Sequence, residues 1–472
     1  MKLNLFPSAR SRTFLNRRLS PRLEISPVNL RLQSGSRVAV AGSGPAGSFF
    51  SYFLLDSAQR IGMDVRVDIY EPRDFSLLGP TGCNMCGGVV SESLVQILAT
   101  EGVTLPATVV QRGIDSYILH TDVGSVRIET PLHEKRIAAV HRGAGPRNMT
   151  ESNWTSFDAY LQALAVERGA RLMRERLDSL SWEDGSLRIG TRCGAHEYYE
   201  LLAVAVGVNS ASLKVLQGSI PSYQPPGTTK TFICEYPLGE ERIREYLGNS
   251  MHVFLLNVPR LEFAAVIPKG DYATLCLLGE EIDGPLIKSF LASPVVRSCF
   301  PADICIDSPP CHCSPRINTY AAVQPFADRI VFIGDSGVTR LYKDGIGAAY
   351  RTAKAAAMTA LFYGISAEDF RQHYWPICRQ INADNRIGKA IFAVTRQMQK
   401  RRHDLLGILR MVSREQNKKS SNPRMSTVVW DLFTGSAPYR EIILRALHPA
   451  FLSQFMWSVV VANLPFKFDK GL

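Results

Sequence analysis

Three sets of residues in this 472-residue chain combine type and spacing in ways that could do chemistry. The first is Gly42-Ser43-Gly44-Pro45-Ala46-Gly47, a G-x-G-x-x-G pattern, with the acid Glu71 downstream. In such a pattern the first glycine permits a tight turn and the second lets a pyrophosphate approach the backbone. The third lets the following helix pack close to a sheet. A carboxylate at Glu71 can accept hydrogen bonds from ribose hydroxyls, so the set reads as a dinucleotide site. The second set pairs Gly334-Asp335 with Gly345-x-Gly347 and Ala348. The third is Cys83-x-x-Cys86, running into Gly87 and Gly88. That pair has three readings: a redox dithiol, half of a metal site completed by Cys311-His312-Cys313, or a soft lining in which Cys86 faces a cofactor pocket. The C-x-C spacing is unlike the usual metal knuckle, so the pocket reading is preferred and no metal is expected.

Each set needs an element to hold it. The apolar run around Val38 and Val40 predicts a strand buried on both faces. A helix over Ser48–Arg60 then points its positive amino end at the phosphates. A second strand, Val65–Tyr70, delivers Glu71. Ser91 is a candidate N-cap for a helix over Ser91–Leu98. Residues Ile114 to Ala139 alternate as strands, and Phe157–Arg168 has helical spacing. Leu201–Val206 is a further buried strand, ending in the turn Gly207-Val208-Asn209-Ser210. Thr228–Glu235, Met251–Asn257, Glu262–Pro268 and Tyr272–Gly279 predict an antiparallel sheet. Ile330–Ile333 is a buried strand that ends at Gly334-Asp335, and Gly345 opens a long Ala-rich helix. The stretch from Ala367 onward reads helical.

With these residues in place the chain resembles the geranylgeranyl reductase-like flavoproteins, of the p-hydroxybenzoate hydroxylase fold. The resemblance rests on G-x-G-P-A-G at Gly42–Gly47, Cys86-Gly87-Gly88, the Phe157-Asp158 helix, and Gly334-Asp335 with Gly345-x-Gly347; it covers Arg37 to about Phe362. It implies FAD as the cofactor. Cys86-Gly87-Gly88 would lie near the flavin ring, with the thiol a candidate proton donor, and Arg142 would help hold the flavin. Asp335 would bond the ribityl chain, while the helix opened by Gly345, Gly347 and Ala348 would face the pyrimidine side of the ring. The family's Y-x-W-x-F-P motif corresponds to Phe263, Ala265, Ile267 and Pro268. Phe263, Ala265 and Ile267 with Tyr342, which stands where relatives carry a proline, are the candidate substrate pocket, roomier at Ala265 than a tryptophan would leave it. Relatives also carry an aspartate in the turn at Gly207–Ser210. Here that turn has no acid, which weakens the case for a docked nicotinamide.

The expected fold class is α/β (α+β). A discontinuous Rossmann-like FAD domain (37–110, 140–210 and 320–365) carries an antiparallel-sheet substrate domain (111–139 and 211–319). A helical region (366–472) follows, and a disordered basic extension (1–36) precedes. Hydrophobic residues at 46% and charged residues at 21% suit a globular protein of several domains. Ten scattered cysteines read as a reducing compartment. The net charge of +11 comes with no nucleic-acid module, so nucleic acid is not an expected partner. Arg396–Arg424 is basic and amphipathic, and the apolar stretch around Trp457 is too short to span a bilayer. Both suit peripheral contact with anionic lipid, or a helical cap. The expected location is cytoplasmic, peripheral to a membrane. The Arg- and Ser-rich first 36 residues, with the single acid Glu24, alternatively read as an organelle transit peptide. The expected activity is reduction of carbon–carbon double bonds in a prenyl chain or prenylated lipid. The alternatives are an FAD-dependent monooxygenase on a hydrophobic substrate and a non-catalytic prenyl-binding escort. The electron donor stays open between NAD(P)H, ferredoxin and another carrier protein.

Overall fold

The structure is a computed structural model, and it describes residues 30–130, 137–147, 154–183, 186–417 and 422–464. Most of the basic N-terminal extension and the lysines Lys418 and Lys419 lie outside these residues. Within the extension, Leu30 to Ser36 belongs to the body. Leu32 is buried in the main core, and the Leu30 carbonyl accepts from the Ile365 N–H at 2.7 Å.

Strand Arg37–Ala41 is the centre of a six-stranded sheet. It pairs in parallel with Leu201–Val204 on one side and Arg66–Tyr70 on the other. Ile330–Phe332 and Arg171–Met173 extend the parallel set, and Phe326–Ala327 closes one edge antiparallel. The strands are short and apolar because helices cover one face and a three-stranded sheet, Leu177–Glu183, Ser186–Thr191 and His196–Tyr199, covers the other. The helix after the glycine loop runs Pro45–Arg60, beginning three residues before its sequence expectation because Pro45 is pre-set for a first helical position. It packs against the Ala-rich helix Gly345–Phe362, where Tyr350 stands edge-on to Phe49 at 5.7 Å.

A second, seven-stranded sheet runs in the order Cys311–Cys313, Phe232–Pro237, Tyr272–Gly279, Leu261–Lys269, Ser250–Leu255, Ser116–Thr121, Gly124–Glu129. It is mixed rather than purely antiparallel. Ser116–Thr121 and Ser250–Leu255 run parallel, since they come from separate segments and no hairpin joins them. Side chains alternate along Leu261–Lys269. Phe263, Ala265 and Ile267 face the first sheet and the C-terminal helices, while Ala264 and Val266 pack beneath helix Gly284–Leu291.

The C-terminal region is helical, with Trp375–Gln399, Arg402–Asn417, Arg424–Thr434, Tyr439–Ala446 and Pro449–Ala462. The basic amphipathic segment does not offer its apolar face to lipid. Leu405, Ile408, Leu409, Met411 and Val412 are buried. Leu409 meets strand Gly124–Glu129, and Gly407 lets Val459 of the last helix come so close that a Cβ there would stand 2.3 Å from it. No helix among the described residues is long and apolar enough to cross a membrane.

Candidate functional site

A cleft of about 360 Å³ lies between the two sheets and the C-terminal helices. Of the sequence-predicted residues, Gly42, Gly44, Pro45, Ala46, Glu71, Cys86, Gly87, Gly88, Arg142, Asp335, Gly345, Phe263, Ala265, Ile267 and Tyr342 line it. Three do not. A Cβ on Gly47 would stand 1.9 Å from the Gly42 carbonyl oxygen, so this glycine serves helix packing. Gly347 is pressed against its own cap, where a Cβ would stand 2.2 Å from Asp344 Oδ1. Ala348 is fully buried in the core.

At the first end of the cleft, Gly42 takes φ +94 and a Cβ there would strike the Ala205 carbonyl at 2.6 Å. Gly44 has ordinary backbone angles but little room, since a Cβ would stand 2.9 Å from Asn84 Nδ2. No side chain caps helix Pro45–Arg60, and its first turn carries no acid, so its amino end is open to an anion. Glu71 is buried. Its carboxylate accepts the Ser43 N–H and the Arg73 N–H, each at 3.0 Å. Burial pushes its pKa up, while those two N–H groups hold it down. Two oxygens with two bonds keep lone pairs free for hydroxyl donors.

A charged network fixes the loop beside the glycines. Arg142 grips Asp158 through Nε at 2.7 Å and Nη2 at 2.8 Å. Asn84 Nδ2 donates to the same carboxylate at 2.5 Å, and Arg73 Nη1 donates to Asn84 Oδ1 at 3.1 Å. Gln162 ties helix Phe157–Glu167 to the Ser43 hydroxyl at 2.5 Å. Arg142 and Cys86 both line the cleft. The Cys86 sulfur itself accepts the Gly88 N–H at 3.4 Å. The two cysteine motifs do not gather into a metal centre. Cys83, Cys86, Cys311 and Cys313 are free thiols, and their sulfurs are not among the described groups close enough to share an ion. Burial pushes the Cys83 thiol up to about 11, which is unlike a reactive dithiol.

At the second end, Gly334 takes φ +59, and a Cβ there would stand 2.7 Å from the Ala46 side chain, so the two glycine loops touch. Asp335 is exposed into the cleft it lines, and the protein packed around it pushes its pKa up by desolvation. Asn318 donates to the Asp335 carbonyl at 2.9 Å, while its own buried Oδ1 has no partner. Asn209, in the turn that lacks an acid, is spent on backbone: it exchanges two hydrogen bonds of 2.9 Å with Arg316.

Sequence reasoning missed Asn84, Asp158, Arg340 and Lys343. Arg340 is buried and donates to the carbonyls of Gly435 at 2.7 Å and Ala437 at 2.8 Å, and to Asp344 at 2.8 Å. Lys343 donates to the Asp431 and Ala437 carbonyls at 2.9 and 3.1 Å. The C-terminal helices thereby hold the loop that opens helix Gly345–Phe362. Tyr342 and Asp344 in that loop have φ of +58 and +49. Proline cannot adopt such an angle, so the loop in this conformation excludes it at position 342. The local signal was the run Arg340-Leu341-Tyr342-Lys343-Asp344, whose charges are dense for a segment beside a glycine turn. Phe263, Ala265, Ile267 and Tyr342 form the apolar end of the cleft, with Phe263 edge-on to Tyr342 at 6.5 Å.

The cleft joins a ribose acceptor and an open helix end to a second carboxylate and helix end and to an apolar chamber, a lining that suits an elongated dinucleotide. No protein-family model and no curated protein matches the chain. Solved structures do. A geranylgeranyl bacteriochlorophyll reductase-like protein from Thermoplasma acidophilum aligns at TM-score 0.59 and 13% identity, over 90% of this chain and 99% of its own. A flavoprotein/dehydrogenase from Cytophaga hutchinsonii aligns at 0.58 and 14%, over 91% and 100%. The halogenase PltM, in complex with phloroglucinol and FAD, aligns at 0.56 and 14%, over 91% of each chain. The chain therefore has the fold that these proteins share, along nearly its whole length.

Proposed function

We propose that the cleft binds FAD and that the chain is an FAD-dependent oxidoreductase which reduces carbon–carbon double bonds of a prenyl chain or prenylated lipid. One observation carries the reading: a single cleft joins Glu71 and the first glycine loop to Asp335 and the second helix end, then continues into an apolar chamber. Bound FAD would supply hydride chemistry at its ring. The chain's residues do the rest. Gly44 and the amino end of Pro45–Arg60 receive the pyrophosphate, Glu71 accepts from the ribose, and Asp335 accepts from the ribityl hydroxyls. The amino end of Gly345–Phe362, held in place by Arg340 and Lys343 through the Gly435, Ala437 and Asp431 carbonyls, would favour negative charge on the ring. Phe263, Ala265, Ile267 and Tyr342 exclude water and hold the hydrocarbon. Cys86 is the candidate proton source for the second half of the reduction, with its sulfur positioned by the Gly88 N–H.

The last helices support a lipid-borne substrate. Leu444, Leu447, Leu452, Met456, Trp457, Val460 and Leu464 are exposed there, Met456 and Trp457 each at 61%. An apolar face with an interfacial tryptophan, on a chain of net charge +11, suits the surface of an anionic membrane. The test is anaerobic incubation of the chemically reduced holoprotein with a geranylgeranyl lipid, followed by mass spectrometry. Gain of two hydrogens per reduced bond is expected, and it falls when Cys86→Ala removes the thiol. Gain of an oxygen on admission of air would replace the reductase reading with the monooxygenase one. An unaltered lipid bound tightly by a flavin-free protein would replace both with the escort reading.

A further inference from the structure

His120, His252 and Cys299 meet on the far side of the seven-stranded sheet, away from the cleft. His120 and His252 come from the parallel pair Ser116–Thr121 and Ser250–Leu255, and Cys299 follows the short helix Pro294–Arg297 packed over them. All three are buried, at 6%, 4% and 2% exposure. His120 Nε2 is 3.0 Å from His252 Nδ1; Cys299 Sγ is 3.2 Å from His252 Nδ1 and 3.8 Å from His120 Nε2.

We propose that these three side chains form a buried binding site for a soft transition-metal ion, and that Cu⁺ is the ion it fits best. An ion with bonds of about 2.0 Å to nitrogen and about 2.3 Å to sulfur places its ligand atoms about 3.3–3.7 Å apart. The observed triangle needs adjustments of only a few tenths of an ångström. The outer contacts suit ligation as well. His120 Nδ1 is engaged by the Ser125 hydroxyl at 2.7 Å, which leaves Nε2 aimed into the triangle, and the ring stacks on Phe254 at 4.6 Å. Both imidazoles are buried, which favours the neutral form whose free nitrogen lone pair can take an ion.

Charge selects the ion. Among the described residues the charged group that acts on the cluster is Arg127, which is itself paired with Asp115 at 3.8 Å. A monovalent ion on one thiolate and two neutral imidazoles leaves the buried assembly neutral, whereas a divalent ion leaves a net positive charge buried in it. Soft thiolate ligands favour Cu⁺ in the same direction. On binding, the ion takes the place of the Cys299 thiol proton, which passes to solvent. No oxidation is involved.

The test uses the full-length protein, reduced, stripped of metal, and equilibrated anaerobically with Cu⁺ buffered by a competing chelator. A parallel sample receives Zn²⁺. Wild type is expected to retain one copper per chain more than Cys299→Ser, the remaining cysteines contributing equally to both. X-ray absorption at the copper edge is expected to include a centre with two imidazole nitrogens and one sulfur. His120→Gln provides a second variant with the same expected loss, and circular dichroism confirms that each is folded. Equal copper and equal zinc in wild type and variants would overturn the site, as would a wild-type copper spectrum with sulfur ligands alone. Zinc held in preference to copper would overturn the charge argument.

Discussion

Replacing Gly44 by alanine isolates how closely a ligand must approach the first glycine loop. The backbone at Gly44 has φ −60 and ψ −177, angles that alanine adopts freely, so the substitution adds a methyl group without backbone strain. That methyl would stand 2.9 Å from Asn84 Nδ2, with Arg142 Nη2 at 3.8 Å and Asp158 Oδ2 at 3.9 Å. Asn84 cannot retreat freely, being held by Asp158 at 2.5 Å and Arg73 at 3.1 Å. With Asn84 fixed, the methyl pushes the loop away from the pyrophosphate, and losing one charge-assisted N–H bond to it costs about 1.5–3 kcal/mol of binding. Each 1.4 kcal/mol is about tenfold in affinity, so the dissociation constant for FAD should rise roughly 10- to 100-fold. Titration of the apoprotein, followed by quenching of flavin fluorescence, measures it directly. Adding Asn84→Ala to the variant should recover part of the loss, since it clears the clash. An unchanged FAD affinity in Gly44→Ala would refute the placement of the pyrophosphate at this loop.

Other outcomes follow from the same geometry. Arg142→Met should lower stability by about 3–5 kcal/mol, because it leaves the fully buried Asp158 carboxylate without its bidentate partner. The double variant Arg142→Met/Asp158→Leu should recover most of that in denaturant melts, whereas simple additivity would contradict the coupling. Glu262 is buried, which raises its carboxyl to about 7 even beside Arg396. The folded protein therefore loses stability as pH rises from about 4.5 to about 7, and Glu262→Gln should abolish that slope and be the more stable form at pH 8. Thermal melts across this range would expose the opposite sign. Ala265→Trp should leave FAD affinity within about twofold but stop turnover of long prenyl chains, because it fills only the apolar chamber; equal loss on short and long substrates would argue against that assignment.

The parts of the site legible in the sequence are those in which local backbone chemistry dictates residue type. Gly42 at φ +94, Gly334 at φ +59 and Gly47 against the Gly42 carbonyl are positions that admit little else, so their spacing carries the fold. Residues whose role depends on distant chain were not legible. Arg340 and Lys343 look like loop charges until the carbonyls of Gly435 and Ala437 reach them. The apolar stripe of Arg402–Asn417 has the same periodicity whether it meets lipid or strand Gly124–Glu129; only tertiary packing decides. His120, His252 and Cys299 converge from separate segments, with no spacing that could announce them.

The central claim is that the two glycine–acid loops grip a single flavin. Stoichiometric reconstitution tests it most directly: apoprotein is titrated with FAD, and bound flavin is counted by absorbance after gel filtration. One FAD per chain is predicted, with retention weakened by Glu71→Gln and by Asp335→Asn separately. A folded, colourless protein that retains no FAD, or one whose flavin content ignores both substitutions, would contradict it.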